Sequence, residues 1–203
     1  MTNKSQQERL GEVDKVLDEV RELLDLTSDN AQEHELLALQ MLLRVTKELH
    51  TIHNVTDLIT KVLDSAIAFA GADRAFLMLL DENGQPRFKM GRERQGNYLT
   101  IEEFSPSTGA IEEALSKQRT IIVPDAQNHA VYSKRDSVQE MSLRTIMCAP
   151  MMIKRQIIGL LYLDSRRNPL GQFNKSHINV LASLADQSAI AIVNAQKFET
   201  YTD

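Results

Sequence analysis

RTIMCAPMMIKRQIIGLLYLD, residues 144–164, is two apolar runs on either side of a basic turn. The runs cover 145–153 and 157–163, and Lys154, Arg155 and Gln156 lie between them. Unbroken apolar runs of this length, rich in Ile, Leu and Met, read as buried strands, and the short polar gap makes them an antiparallel hairpin. Gly159 in the second strand predicts a close backbone approach or a bulge.

Downstream, 165–171 reads as a loop leading through Gln172 and Phe173 to a helix over 177–198, capped by Asn174 or Ser176. Ile178, Leu181, Leu184, Ala185, Ala189, Ile190, Ile192 and Val193 run round nearly its whole girth. A helix apolar on most sides is buried on most sides. One sheet cannot cover it, so a second helix or a partner subunit is expected. Upstream, 74–80 is a short apolar strand, Asp81-Glu82-Asn83-Gly84 a turn, and 85–90 the returning strand. Residues 91–100 are polar and read as a loop, with a short strand inside 99–104. A helix capped by Ser107 or Thr108 runs to Leu115, and 120–123 is a strand ended by Pro124. Residues 125–140 are polar and irregular, with a short helix expected over 134–141. Two amphipathic helices precede all this, at 33–50 and at 54–70, the second capped by Asn54 and stopped by Gly71. Antiparallel strands with helices gathered on one face make an α+β domain.

Leu10, Val13, Leu17, Val20 and Leu24 step by three and four, an a/d seam two heptads long. Two readings stay open for it: an amphipathic helix lying on its own domain, or a coiled-coil dimer contact. Residues 25–32, DLTSDNAQ, break the pattern with good cap chemistry. The expected organisation is a helix and linker over 1–32 and one domain over 33–203.

Composition narrows the function. The chain of 203 residues is 42% hydrophobic and 25% charged, the balance of a globular domain. A formal charge of −5 offers no basic face, so no nucleic-acid partner is expected. No unbroken apolar run approaches the roughly 20 residues that span a bilayer, and the polar N-terminus carries no signal peptide. One cysteine, Cys148, precludes an internal disulfide framework and any multi-cysteine zinc site. A cytoplasmic location, without membrane attachment, is the expectation.

Four segments in order, AGADRAFLMLLDENG (70–84), TIIVPDA (120–126), SLRTIMCAPMMIKRQIIGLLYLDS (142–165) and FNKSHINVLASLADQSAIAIVNA (173–195), resemble a GAF domain. GAF domains are small-molecule sensing and dimerisation modules of signalling proteins. The resemblance implies a central antiparallel sheet of about six strands. The N- and C-terminal helices would pack on one face, and a ligand pocket would lie on the other under a lid over 125–141. It also implies a homodimer and a partner signalling domain, such as a kinase, cyclase, phosphatase or transcription activator. Cyclic-nucleotide-binding members carry an Asn-Lys, Phe, Asp-Glu signature; the matching positions here are Asp164-Ser165, Phe173 and His177-Ile178, and only the Phe is kept. Bilin-binding members attach pigment to a lid cysteine, whereas Cys148 sits in a strand. Members that reduce free methionine sulfoxide use several cysteines, and this chain has one. No cofactor is named by these comparisons.

A polar, irregular segment over an apolar floor is the composition of a pocket lid. Asp125, Asn128, Tyr132 and Arg144 would supply donors and acceptors at the rim, beside His129 and Ser133. Met147, with Met141, Met151 and Met152, would supply an adaptable apolar wall; the plainer reading of these methionines is core filler. The dimer helices would use Leu10, Val13, Leu17, Val20, Leu24, Leu181 and Leu184. The five histidines have no metal-ligand spacing, and no hydrolase, kinase or phosphate-loop motif is present. The expectation is a non-enzymatic regulatory module that binds a small molecule. The alternative is a ligand-free dimerisation or protein-interaction module.

Overall fold

A computed structural model describes residues 30–49, 51–52, 54–104, 106–135, 138–139, 142–166 and 175–200. The seam residues Leu10, Val13, Leu17, Val20 and Leu24 lie outside these, as do Met141 and Phe173. The chain divides into two compact units, Met1–Met41 and Leu42–Asp203. Four α-helices are described: α1 (Asn30–Leu49), α2 (Val55–Ala70), α3 (Thr108–Lys117) and α4 (Lys175–Thr200). Six strands, β1 (Arg74–Leu80), β2 (Pro86–Glu93), β3 (Tyr98–Leu99), β4 (Ile121–Val123), β5 (Thr145–Ile153) and β6 (Gln156–Ser165), form one sheet in the order β3-β2-β1-β6-β5-β4. Every pairing is antiparallel.

Local chemistry sets the element ends. Asn54 caps α2, its side chain accepting from Asp57 N at 3.0 Å, and Gly71 ends the helix at φ 62°. Asp81 builds the β1–β2 turn by accepting from Asn83 N at 3.0 Å and Gln85 N at 2.8 Å. The β5–β6 turn is carried by Lys154 and Arg155, both at positive φ, 48° and 68°. Two positive φ values between directly paired strands are the geometry of a tight primed turn, here built without glycine.

The β5–β6 hairpin is as expected, and both readings of Gly159 hold. A Cβ there would stand 2.4 Å from the Met78 carbonyl oxygen, so only glycine lets β6 approach β1. The β5–β6 register also slips between Met151 and Met152, leaving Ile158 as the extra residue. The expected loop over 91–100 differs from the structure. β2 continues to Glu93, and the short edge strand falls at Tyr98–Leu99. Gly91 breaks the apolar pattern because the Phe76 ring lies on it, 2.7 Å from where a Cβ would be.

The core has two layers. On one face of the sheet α2 and α4 pack against the strands and against each other. Their buried residues include Leu58, Val62, Leu63 and Ala66 from α2, and Leu181, Leu184, Ala185 and Ile192 from α4. The second helix needed to cover α4 is therefore α2, and the expectation that Leu181 and Leu184 form a dimer contact is corrected: both are buried within one chain. By length and composition alone, the 21-residue stretch Ile178–Phe198 is apolar enough to cross a membrane, although scattered polar residues interrupt its apolar runs. Half of that stretch is buried within the fold, which accounts for its apolarity. On the opposite face a second cluster joins Phe76, Ile146, Cys148, Leu160 and Tyr162 of the strands to Ala110, Ile111 and Ala114 of α3. Ala126, Tyr132, Val138 and Leu143, from the segment between β4 and β5, close it.

Candidate functional site

Strand parity decides what the lid-side face presents. Register aligns Phe76, Tyr162, Cys148 and Ile121 in one row across four strands, and all four belong to the lid-side cluster. The neighbouring row, Ala75, Leu163, Met147 and Ile122, therefore points to the helices. Met147 is 1% exposed in that layer. The expectation that it lines the pocket is corrected: it is core beneath α2 and α4, and Met151 shares its parity.

Tyr162 anchors the lid side. It is fully buried, 6.2 Å from Phe76 and edge-on to Phe104 at 6.5 Å between ring centroids. Its hydroxyl accepts from Ser107 N at 2.9 Å, which fixes the start of α3. Burial pushes its phenol well above the ordinary value. Two rows further along, Arg74 grips Asp164 with Nε and Nη2 at 2.9 and 2.7 Å, a bidentate pair in which Asp164 is 1% exposed. Burial raises the Asp164 carboxyl, and the guanidinium opposes that rise. Asp73 ties the end of β6, accepting from Ser165 Oγ at 3.0 Å and Arg166 N at 3.1 Å.

The lid is held by two sets of polar ties. In the first, Arg144 Nη1 donates to Asp125 Oδ1 at 3.3 Å and Gln127 Oε1 at 3.1 Å, and Asn128 Nδ2 donates to Asp125 Oδ2 at 2.7 Å. Three expected rim residues, Asp125, Asn128 and Arg144, thus come together and satisfy one another at the first turn of the lid. In the second, a 3-10 turn, Tyr132–Lys134, swings Tyr132 inward, and its hydroxyl donates to Glu113 Oε2 on α3. Burial and then Glu113 push the Tyr132 phenol up, while Lys117 and then Tyr132 hold the Glu113 carboxyl below its usual range. His129 Nδ1 accepts from Val131 N and Tyr132 N at 3.2 and 3.4 Å, and its ring stands edge-on to Tyr132.

Cys148 is fully buried, and burial pushes its thiol far up, the behaviour of a small core hydrophobe. Among the described residues no group of three or more His, Cys, Asp or Glu could hold a metal ion. Ser107, Gly109, Glu113, Arg135 and Tyr162 complete the lid side. Only Ser107 carried a signal in the sequence, as a helix cap.

A six-stranded antiparallel sheet with paired helices on one face and an irregular lid on the other is a two-layered α+β architecture. The GAF-domain family profile matches residues 54–192, and this chain belongs to the GAF family. It is 24% identical over 173 residues to a diguanylate cyclase A from Treponema denticola; the match covers 84% of this chain and 47% of the cyclase. The chain thus spans about half the length of that curated relative. Among solved structures, the GAF domain of an Acinetobacter phosphoenolpyruvate-protein phosphotransferase superposes with a TM-score of 0.62 at 16% identity, covering 81% of this chain and 98% of that one. A free methionine-R-sulfoxide reductase from Neisseria meningitidis, solved with its substrate, superposes with a TM-score of 0.60 at 16% identity, covering 85% and 95%. The superpositions establish the fold. The same fold thus occurs in the GAF domain of a phosphotransferase and in a reductase.

Proposed function

We propose that this chain is a non-enzymatic regulatory module that binds a small molecule on the lid side of its sheet. The observation that carries the proposal is the unequal closure of the two faces. Regular helices seal one face, whereas an irregular segment closes the other through a few side-chain ties, chiefly Asp125–Arg144 and Tyr132–Glu113. A ligand that binds better when those ties are open shifts the population toward the open state, and only such differential affinity transmits a signal. The output passes through α1 and α4 to a partner signalling domain in a homodimer, with the expected seam at Leu10–Leu24 as the dimer contact. The similarity to a diguanylate cyclase makes a nucleotide cyclase one such output. The lone buried Cys148 supports a regulatory rather than a reductase role, because a thiol–disulfide cycle needs a second thiol.

A second reading has its own support. Phe76, Phe88, Phe104 and Tyr162 stack with ring centroids 4.8–6.5 Å apart and fill part of the lid-side layer. On that reading the module dimerises without a ligand. Native mass spectrometry of the purified chain beside its denatured mass separates the two. A stoichiometric non-covalent adduct supports the sensor. A dimer that carries no adduct, and whose melting temperature no metabolite library changes, removes it.

A further inference from the structure

Among the described residues the sheet has two register irregularities, and both deliver their extra residue to one place. Between β1 and β2 the register slips at Leu77 and Met78, leaving Lys89 as the extra residue. Between β5 and β6 the extra residue is Ile158. Strict alternation from Leu160 would turn Ile158 to the lid side. The bulge instead lets it line a cleft of about 350 Å³ on the helix side, beside Val193 and Gln196 of α4. Lys89 lines the same cleft from β2. Leu79 lies over Gly159 here, its Cδ2 3.0 Å from where a Cβ would be, so a side chain at 159 would push Leu79 into the opening.

The cleft is amphipathic. Leu79, Leu80, Ile158 and Val193 are each half-buried, so apolar surface stays open to water inside it. Its rim is cationic. Arg87 Nε donates to Asp81 Oδ2 at 2.8 Å, and Asp81 Oδ1 is already engaged by the Asn83 and Gln85 amides. The carboxylate of the cleft is thus fully committed, whereas the Arg87 Nη groups and the Lys89 ammonium have no partner among the described residues. Apolar walls beneath two unspent cationic donors call for a ligand that is apolar at one end and anionic at the other.

We infer that this cleft is a second binding site, on the helix side of the sheet, for a small aliphatic carboxylate. The aliphatic body lies against Leu79, Ile158 and Val193, and the carboxylate pairs with Lys89 and the free edge of Arg87. A volume of about 350 Å³ suits a small ligand, since such pockets run from about 300 to 1,000 Å³. The inference does not rest on the lid-side reading and survives its failure. Val193 and Gln196 lie about 10–15 Å along α4 from Asp186, whose carboxylate accepts from Met152 N. A ligand held between β2 and α4 therefore loads the C-terminal half of the helix at a distance from its tie to β5.

The test is a 15N NMR titration of the whole chain with sodium octanoate, sodium hexanoate and neutral hexanamide, each at constant ionic strength. The expected result is a saturable shift of the Lys89, Ile158 and Gln196 amides with octanoate. Octanoate binds about tenfold tighter than hexanoate, the gain from two further buried methylenes. Hexanamide binds more weakly than hexanoate. Lys89→Gln changes an exposed side chain and so leaves the fold intact; it weakens octanoate about fivefold, the loss of a partly exposed ion pair, and leaves hexanamide unchanged. If octanoate leaves these three amides unmoved, or shifts only Ser107 and Tyr132 on the lid side, the inference is overturned. Equal binding of hexanoate and hexanamide, or of octanoate by the wild type and Lys89→Gln, would overturn it as well.

Discussion

The two faces of this sheet are closed by different physics. On the helix side, α2 and α4 bury aliphatic side chains at helical spacing against Ala75, Leu77, Met147 and Leu161, and closure is mostly a matter of area removed from water. On the lid side, closure depends on aromatic packing and on bonds between groups far apart in sequence: Arg74 with Asp164, Ser107 with Tyr162, Glu113 with Tyr132. Area-based closure resists small changes and opens cooperatively. Closure by a few polar ties can be opened locally, which a regulatory site requires.

Four measurements sharpen or break that contrast. The largest effect is expected at Arg74→Ala, which strands the buried Asp164 carboxylate; the loss is about 3–5 kcal/mol in urea unfolding. A loss below about 1 kcal/mol would show that the pair behaves as a surface ion pair. Next, Met147→Ala should cost about 2–5 kcal/mol as a core truncation. A loss below about 0.5 kcal/mol would show that Met147 is not packed in the helix-side core.

Tyr132→Phe should cost about 1–2 kcal/mol, the range for a bond to a charged group that is partly exposed. Its pH dependence is diagnostic. Glu113 is held low, so its contribution is present above the unfolded carboxylate pKa of about 4.3 and fades as pH falls through the lower folded value. The Tyr132 phenol is held high, so its contribution is present below about pH 10 and fades as pH rises through the higher folded value. The stability difference between wild type and Tyr132→Phe should therefore be flat from about pH 5 to 9 and shrink on both sides. A difference that does not change with pH would assign the loss to packing. The smallest effect is a gain: replacing Lys154-Arg155 with Asn-Gly relieves two positive-φ positions and should add about 1 kcal/mol, with no change on the lid side.

Much of the helix side was legible in the sequence because its signals are local. Asn54 and Gly71 bracket α2, and the spacing of Leu58, Val62 and Leu63 gives its buried face. The β5–β6 hairpin was legible too, but the parity of β5 was not. In TIMCAPMMI both faces are apolar, so alternation is invisible, and only pairing with Tyr162 and Ile121 shows that Cys148 faces the lid and Met147 does not. The end of β2 was hidden for a related reason. Gly91 and Arg92 look like loop residues, yet Gly91 makes room for the Phe76 ring. Arg92 folds onto Asp64 at 2.8–2.9 Å and over the Tyr98 ring at 4.5 Å. At the site, Asp125, Asn128 and Arg144 stood out as polar residues beside apolar strands. The α3 end did not stand out as part of a site, because Ser107 reads only as a helix cap and its bond to Tyr162 forms only through the fold.

The bulge at Ile158 has a mechanical consequence for the last helix. At that irregularity Met152 N is free of the β5–β6 ladder and donates to Asp186 Oδ1, near the middle of α4, at 3.0 Å. Sliding α4 by one turn in either direction would bring Ala182 or Ile190 to that spot, and neither side chain can accept a hydrogen bond. The contact acts as a key in a keyway: α4 can tilt or roll about Asp186 but cannot ratchet lengthwise without stripping Met152 of its acceptor. Against β5, α4 is therefore held more firmly in register than in angle.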